Sequence, residues 1–178
     1  CPVKDKGREF EVLGLLNSKV SAHLLRATNP TLNLNPGNLA DIPVSGLVEG
    51  VSDIVEECIR ISEADWNASE RSFAFSELPF VHASNGSSLR NNWEKWRNEA
   101  EDRVERLLEL EQQNNHIFVH AYGLQGELSP EVPKDQIILT RADREKDSQR
   151  LISYAIGCMM GRYSLDEPGL IYAHAGNV

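Results

Sequence analysis

From Ser88 to about Tyr122 the apolar residues Trp93, Trp96, Ala100, Val104, Leu107, Leu108, Leu110, Ile117, Phe118 and Ala121 recur at three- and four-residue steps. That is the period of one helix face, and Gly123 follows as a C-cap. A helix of about 30 residues runs about 45 Å at 1.5 Å per residue. This is longer than a small globule is wide, so part of it is expected to act as a spacer. Between Arg90 and Glu111 acidic and basic residues alternate. Pairs four apart, such as Glu99 with Arg103 and Asp102 with Arg106, support a solvated face.

The other segments are shorter. Val12, Leu15, Leu16, Val20, Leu24 and Leu25 predict an amphipathic helix over Phe10 to Ala27, stopped at Asn29-Pro30 because a residue before proline is pushed out of the helical region. Thr31 to Val44, with Pro36-Gly37 and Pro43, reads as an ordered strap of loop and short extended pieces rather than a helix. Ser45 is placed to N-cap a helix over Gly46 to Ser62. Glu63 to Ser88 is aromatic but poorly periodic, a packed connection. Ser129-Pro130-Glu131 predicts one helical turn, Ile137 to Leu139 a short extended run, and Thr140 with Asp143 a capping box opening a last helix from Arg141 to about Tyr163. Leu151, Ile152, Ala155, Ile156, Met159, Met160 and Tyr163 form its apolar face. It is expected to be core, so that Ile156→Asp destabilises severely. Gly157 and Gly161 read as a packing notch. The fold class is mainly α, a helical bundle with one long helix plus short extended and loop segments.

At 178 residues, with 40% hydrophobic and 25% charged, the chain has the composition of an ordinary folded protein. Its longest apolar stretch, Leu151 to Met160, is about half the length that crosses a bilayer, so no membrane span is expected. A net charge of -9 is the wrong sign for a module that holds a phosphate backbone by itself. Cys1, Cys58 and Cys158 form no C-x-x-C pair, which speaks against a disulfide framework and a zinc site and fits a reducing cytoplasm. The first residue is Cys rather than Met, and the chain is expected to be a piece excised from a larger protein.

Little chemistry is legible. His116 and His120 stand four apart, a spacing that places two imidazoles on one metal, but a third ligand is missing and Ile117 stands where a zinc protease needs glutamate. No metal is therefore expected; a small metal-dependent enzyme built on the two histidines is the rival this leaves. There is no G-x-S-x-G, P-loop or G-x-G-x-x-G. Asp65 with Glu70, and Glu127 with Glu131, read as helix-end acids rather than acid and base. Trp93 and Trp96 among Arg90, Lys95 and Arg97 combine aromatic and basic groups able to stack bases and neutralise phosphates. The tryptophans share the core face, which leaves Arg90, Lys95 and Arg97 as the candidate DNA contact.

Several phrases carry a resemblance. Leu15-Leu16-Asn17-Ser18-Lys19, Asn29-Pro30-Thr31-Leu32-Asn33, Gly37-Asn38-Leu39 and Ile42-Pro43-Val44 follow one another like the segment after the methylase core of large restriction-modification-like methyltransferases. Asn91-Asn92-Trp93-Glu94-Lys95-Trp96, Tyr122-Gly123-Leu124-Gln125 and Ile152-Ser153-Tyr154-Ala155-Ile156-Gly157-Cys158-Met159, running into Gly161-Arg162-Tyr163-Ser164-Leu165-Asp166, resemble the PglX-like adenine-specific DNA methyltransferases of BREX phage-defence systems. Gly37-Asn38-Leu39 departs from the family's Gly-Asp-Ile. Its Asn-Pro-Pro-Tyr motif and glycine-rich cofactor loop have no counterpart, since Asn29-Pro30 is followed by Thr31. The resemblance therefore implies no catalytic and no cofactor-binding residue in this chain, and no methyl transfer by it, while the parent enzyme uses S-adenosylmethionine. It implies residues 1–44 as the end of a methylase-associated segment and 45–178 as a helical spacer domain. The partners implied are the rest of the parent enzyme and, through it, DNA. The alternative from another class is a free-standing module binding a protein through the Trp93 to Tyr122 helix.

Overall fold

The computed structural model describes residues 8–29, 35–44, 48–81 and 88–171. Among the described residues there are six α-helices and no strand: α1 (Glu9–Leu16), α2 (Lys19–Thr28), α3 (Pro36–Ala40), α4 (Val51–Asn67), α5 (Leu89–Ala121) and α6 (Arg144–Met159). The chain is mainly α, and α5 is a single helix of 33 residues. It divides into two compact units, residues 1–60 with 106–137 and residues 61–105 with 138–178. Residues on both sides of Val44 thus belong to the first unit.

In the first unit Leu15, Val20, Ile42, Val51, Val55, Phe118 and Val119 form the core. The single helix expected over Phe10 to Ala27 is two, broken at Asn17-Ser18. The Leu15 carbonyl accepts from the Ser18 N–H at 3.0 Å and from the Ser18 and Ser21 hydroxyls at 2.7 and 2.6 Å. Ser18 is extended and caps α2, while the Lys19 N–H donates to Asn115 Oδ1 at 2.9 Å. Side chains thus supply the partners that an unbroken helix would have supplied. Asn29 is extended, as a residue before proline should be.

Three further expectations are corrected in this unit. Pro36–Ala40 is a helix rather than loop, because Asn35 and Asn38 form a capping box and Pro36 suits the first turn; the residues 30–34 of the expected strap lie outside the described residues. The helix expected from Gly46 begins at Val51 and runs on to Asn67, and its expected cap, Ser45, lies outside the described residues. Ser129 to Glu131 is not helical. The Pro130 carbonyl accepts from Asn115 Nδ2 at 3.2 Å and that of Glu131 from Lys19 Nζ, which holds the segment against side chains of the unit; a short 3-10 turn follows at Lys134–Gln136. The C-cap at Gly123 is as expected, with φ 68° and the Leu124 N–H bonded back to the Val119 carbonyl.

In the second unit Phe75, Leu78, Phe80, Trp96, Ala100, Tyr154 and Tyr163 form the core. The poorly periodic stretch after Asn67 is indeed packed, at Phe75, Leu78 and Phe80. The last helix starts later than the Thr140 capping box predicts. Asp143 is the cap, accepting from the Glu145 and Lys146 N–H groups at 3.0 Å, while Thr140 donates its N–H and its hydroxyl to Asp65 at 3.1 Å. The helix also ends earlier, at Met159, in a left-handed turn at Gly161 where the Arg162 N–H returns to the Gly157 carbonyl at 2.8 Å. Tyr163 folds back so that a Cβ on Gly157 would lie 2.6 Å from its ring. Gly157 is the notch, then, and Gly161 the cap. The expected core face is also corrected. Tyr154 and Gly157 are buried, but Ile156 is 50% exposed, so an aspartate there reaches water instead of being trapped among apolar neighbours.

Gly14 marks the tightest approach in the first unit. A Cβ there would meet Val51 Cγ1 at 2.7 Å and Asn114 Oδ1 at 2.8 Å, and neither can give: Val51 is fully buried, and Asn114 is held by donating Nδ2 to the Gly14 carbonyl at 2.9 Å. Gly14→Ala gains about 1 kcal/mol of helix propensity against an overpacking cost of about 1–3 kcal/mol. A net fall in melting temperature is expected by calorimetry, and a rise would show that the α1–α4 contact is loose.

Candidate functional site

The first turns of α5 and α6 build a surface cleft of about 550 Å³ in the second unit, lined by Arg90, Trp93, Arg97, Arg144 and Asp147 among others. Trp93 is the pivot. Its Nε1–H donates to Asp147 Oδ2 at 3.0 Å, and the Arg97 guanidinium lies 5.6 Å from its ring centroid, within cation–π range. Asp147 is 2% exposed and also accepts from the Asp143 N–H at 2.9 Å and from Arg150 at 3.2 Å. Its charge is thereby engaged, so the cleft presents the guanidinium groups of Arg90, Arg97 and Arg144 against one further acid, Glu94.

Of the residues singled out from the sequence, Arg90 and Arg97 come together, seven positions and so about two turns apart on one face of α5. Lys95 does not line the cleft; it pairs with Glu99 at 3.7 Å. Trp96 is buried in the core and Trp93 is only half-buried, at the edge of it. Arg144 escaped sequence reading because no spacing along the chain links it to Arg90 and Arg97; it joins them only where α6 and α5 line the same cleft.

Of the other candidates, Asp65 and Glu70 line one pocket of about 610 Å³, but each is engaged by other groups. His116 and His120 are exposed, and among the described residues no three His, Cys, Asp or Glu side chains are grouped to hold a metal ion. Asp65 is spent on Thr140, and Glu70 accepts from the Ser153 and Tyr163 hydroxyls at 3.4 Å. Glu131 accepts from Gln112 at 3.2 Å. The Cys58 thiol is pushed up to about 11 by burial first and by the charges of Glu111 and Glu57 next, leaving almost no thiolate at neutral pH. No helix of the described residues is long and apolar enough to cross a membrane.

No family profile matches this chain. The adenine-specific methyltransferase PglX of Lacticaseibacillus casei (strain Zhang) is 36% identical over 168 residues, 90% of the chain. The adenine-specific methyltransferase BrxX of Escherichia coli O9:H4 (strain HS) is 30% identical over 194 aligned positions, 99% of the chain. The chain is PglX-like. It spans only 14% and 16% of the lengths of these two relatives.

Two outcomes follow from the side-chain geometry of this PglX-like stretch. Trp93→Phe keeps an aromatic side chain, though a smaller one, and removes a hydrogen bond from a buried carboxylate, which costs about 1–3 kcal/mol; at roughly 2–4 °C per kcal/mol for a chain of this size, thermal denaturation should show a drop of several degrees. Cys58 should resist iodoacetamide at pH 8 in the folded chain and react on unfolding, as read by mass spectrometry; rapid modification of the folded chain would contradict the raised pKa.

Proposed function

We propose that this chain is a non-catalytic helical spacer within a longer PglX-like adenine-specific DNA methyltransferase of a phage-defence or restriction-modification system, cytoplasmic, and of the BREX type. Its work is to position the methylase core relative to the target-recognition part on DNA. The observation that carries the reading is the match over 90% and 99% of the chain against 14% and 16% of its relatives. Such a match is what one structural region of a much larger enzyme produces. The methylase-associated segment, residues 1–44, passes into the spacer, residues 45–178, within one compact unit, since residues 1–60 belong together.

S-adenosylmethionine does not fit the residues present. A glycine-rich turn between a strand and a helix is what receives such a nucleoside cofactor in an α/β core. Among the described residues there is no strand, and the left-handed glycines Gly50, Gly123, Gly161 and Gly169 stand apart from one another. The parent enzyme's cofactor and its catalytic motif belong to other parts of the polypeptide.

Within the longer enzyme the cleft arginines contact the phosphate backbone. The chain is too acidic to hold DNA alone, at -9, yet cations delivered to DNA already gripped elsewhere still neutralise phosphates. Trp93, clamped by Asp147, gives Arg97 a fixed platform. Lys95, bound to Glu99 away from the cleft, contributes less.

The test is the intact methyltransferase carrying Arg90→Ala, Arg97→Ala and Arg144→Ala together. DNA binding should weaken for all sequences alike, and the slope of log affinity against log salt should fall by about 2–3, near 0.9 per phosphate contact. Lys95→Ala alone should change the slope little. A changed methylation site in the triple variant would mean that the region reads bases, and the spacer reading would be abandoned.

A further inference from the structure

The turns of α6 opposite its buried side carry a second apolar face. Ile152, Ile156, Met159 and Met160 are 60%, 50%, 87% and 80% exposed. Ile152, Ile156 and Met159 stand at steps of four and three, which puts them on one side of the helix, Met160 follows at its C-cap, and Tyr154 is buried on the other side. A groove of about 670 Å³ runs along this face, lined by Ile152, Ile156, Gly157, Met160 and Leu170 together with polar side chains that include Arg162. Leu165, just past the helix, is 74% exposed. A helix apolar on both sides is characteristic of one that is covered all round. A contiguous apolar surface of this kind marks an interaction site rather than a normal scatter of exposed residues.

We infer that this outward face of α6 is where another part of the same, longer methyltransferase polypeptide packs. The inference rests on the parent reading above. More than four fifths of either relative lies outside the matched region, so a large length of covalently attached chain is at hand to cover the face. Packing within one chain is permanent, and permanent interfaces are the apolar ones. A second copy of this chain is a poorer occupant, because each carries a net charge of -9 and like charges oppose their approach.

The chain has two methionines, and both lie on this face, so peroxide oxidation followed by mass spectrometry reports on it alone. In the isolated 178-residue chain Met159 and Met160 should oxidise as fast as in a free peptide. In the intact methyltransferase both should be slowed by about tenfold or more, since susceptibility follows exposure. Equal rates in the two proteins would overturn the inference. So would protection that appears in the isolated chain and grows with its concentration alongside a dimer in light scattering, since the occupant would then be a second copy. Ile152→Glu with Ile156→Glu provides a second measure: the isolated chain should melt within roughly 2–4 °C of the unchanged one, the equivalent of about 1 kcal/mol, while the intact protein should melt distinctly lower. An intact protein that tolerates the pair unchanged would also sink the proposal. Adenine methylation by the intact protein checks the parent reading separately: methylation with freely oxidised methionines removes this inference only, and protected methionines without methylation remove the parent reading only.

Discussion

An apolar stripe that runs the length of a 33-residue helix must be covered by residues from elsewhere in the sequence, because a helix cannot fold back on itself. α5 contributes Trp96 and Ala100 to one core and Phe118 and Val119 to the other, and Val104, Leu107 and Leu110 between them in sequence are buried as well. Each unit is therefore built from stretches far apart in the chain that share only α5 and α4. The burial is the main favourable term.

Polar side chains set where the shorter elements begin and end. Asn114 and Asn115, adjacent and buried on α5, reach the Gly14 carbonyl, the Lys19 N–H and the Pro130 carbonyl. These bonds join the start of the chain and the segment after α5 to one helix turn. In the second unit Asp147 does the same for Trp93, Asp143 and Arg150, and Asp65 for Thr140. Buried polar groups are costly when left unbonded, so the bonds these residues do make favour one arrangement of backbone over its alternatives.

The same logic separates this chain's two kinds of surface. The cleft of Arg90, Arg97 and Arg144 is a small cationic exception on an acidic chain, and one of its cations, Arg97, lies over the Trp93 ring, which the buried Asp147 carboxylate holds by a hydrogen bond. The outward face of α6 is an apolar exception.

The sequence by itself determined that the chain is mainly helical, where α5 lies and how it ends, because a repeat of this length and a glycine cap depend only on neighbours along the chain. It also carried the relation to PglX, in phrases such as Ile152 to Met159. What it could not determine was every feature decided by a distant partner. The break at Ser18 depends on Asn115, ninety-six positions away by the Lys19 bond; the true start of α6 depends on Asp65 taking Thr140 away from capping. The grouping of Arg90 and Arg97 with Arg144 comes from α5 and α6 lining one cleft, and no spacing along the chain announces it. The apolar pattern of α6 was legible too, but periodicity reports that a face is to be covered and not by what. Here the structure decided that Tyr154 and Gly157 face this unit's core and that Ile156 does not, because one side of a helix can pack on one neighbour only.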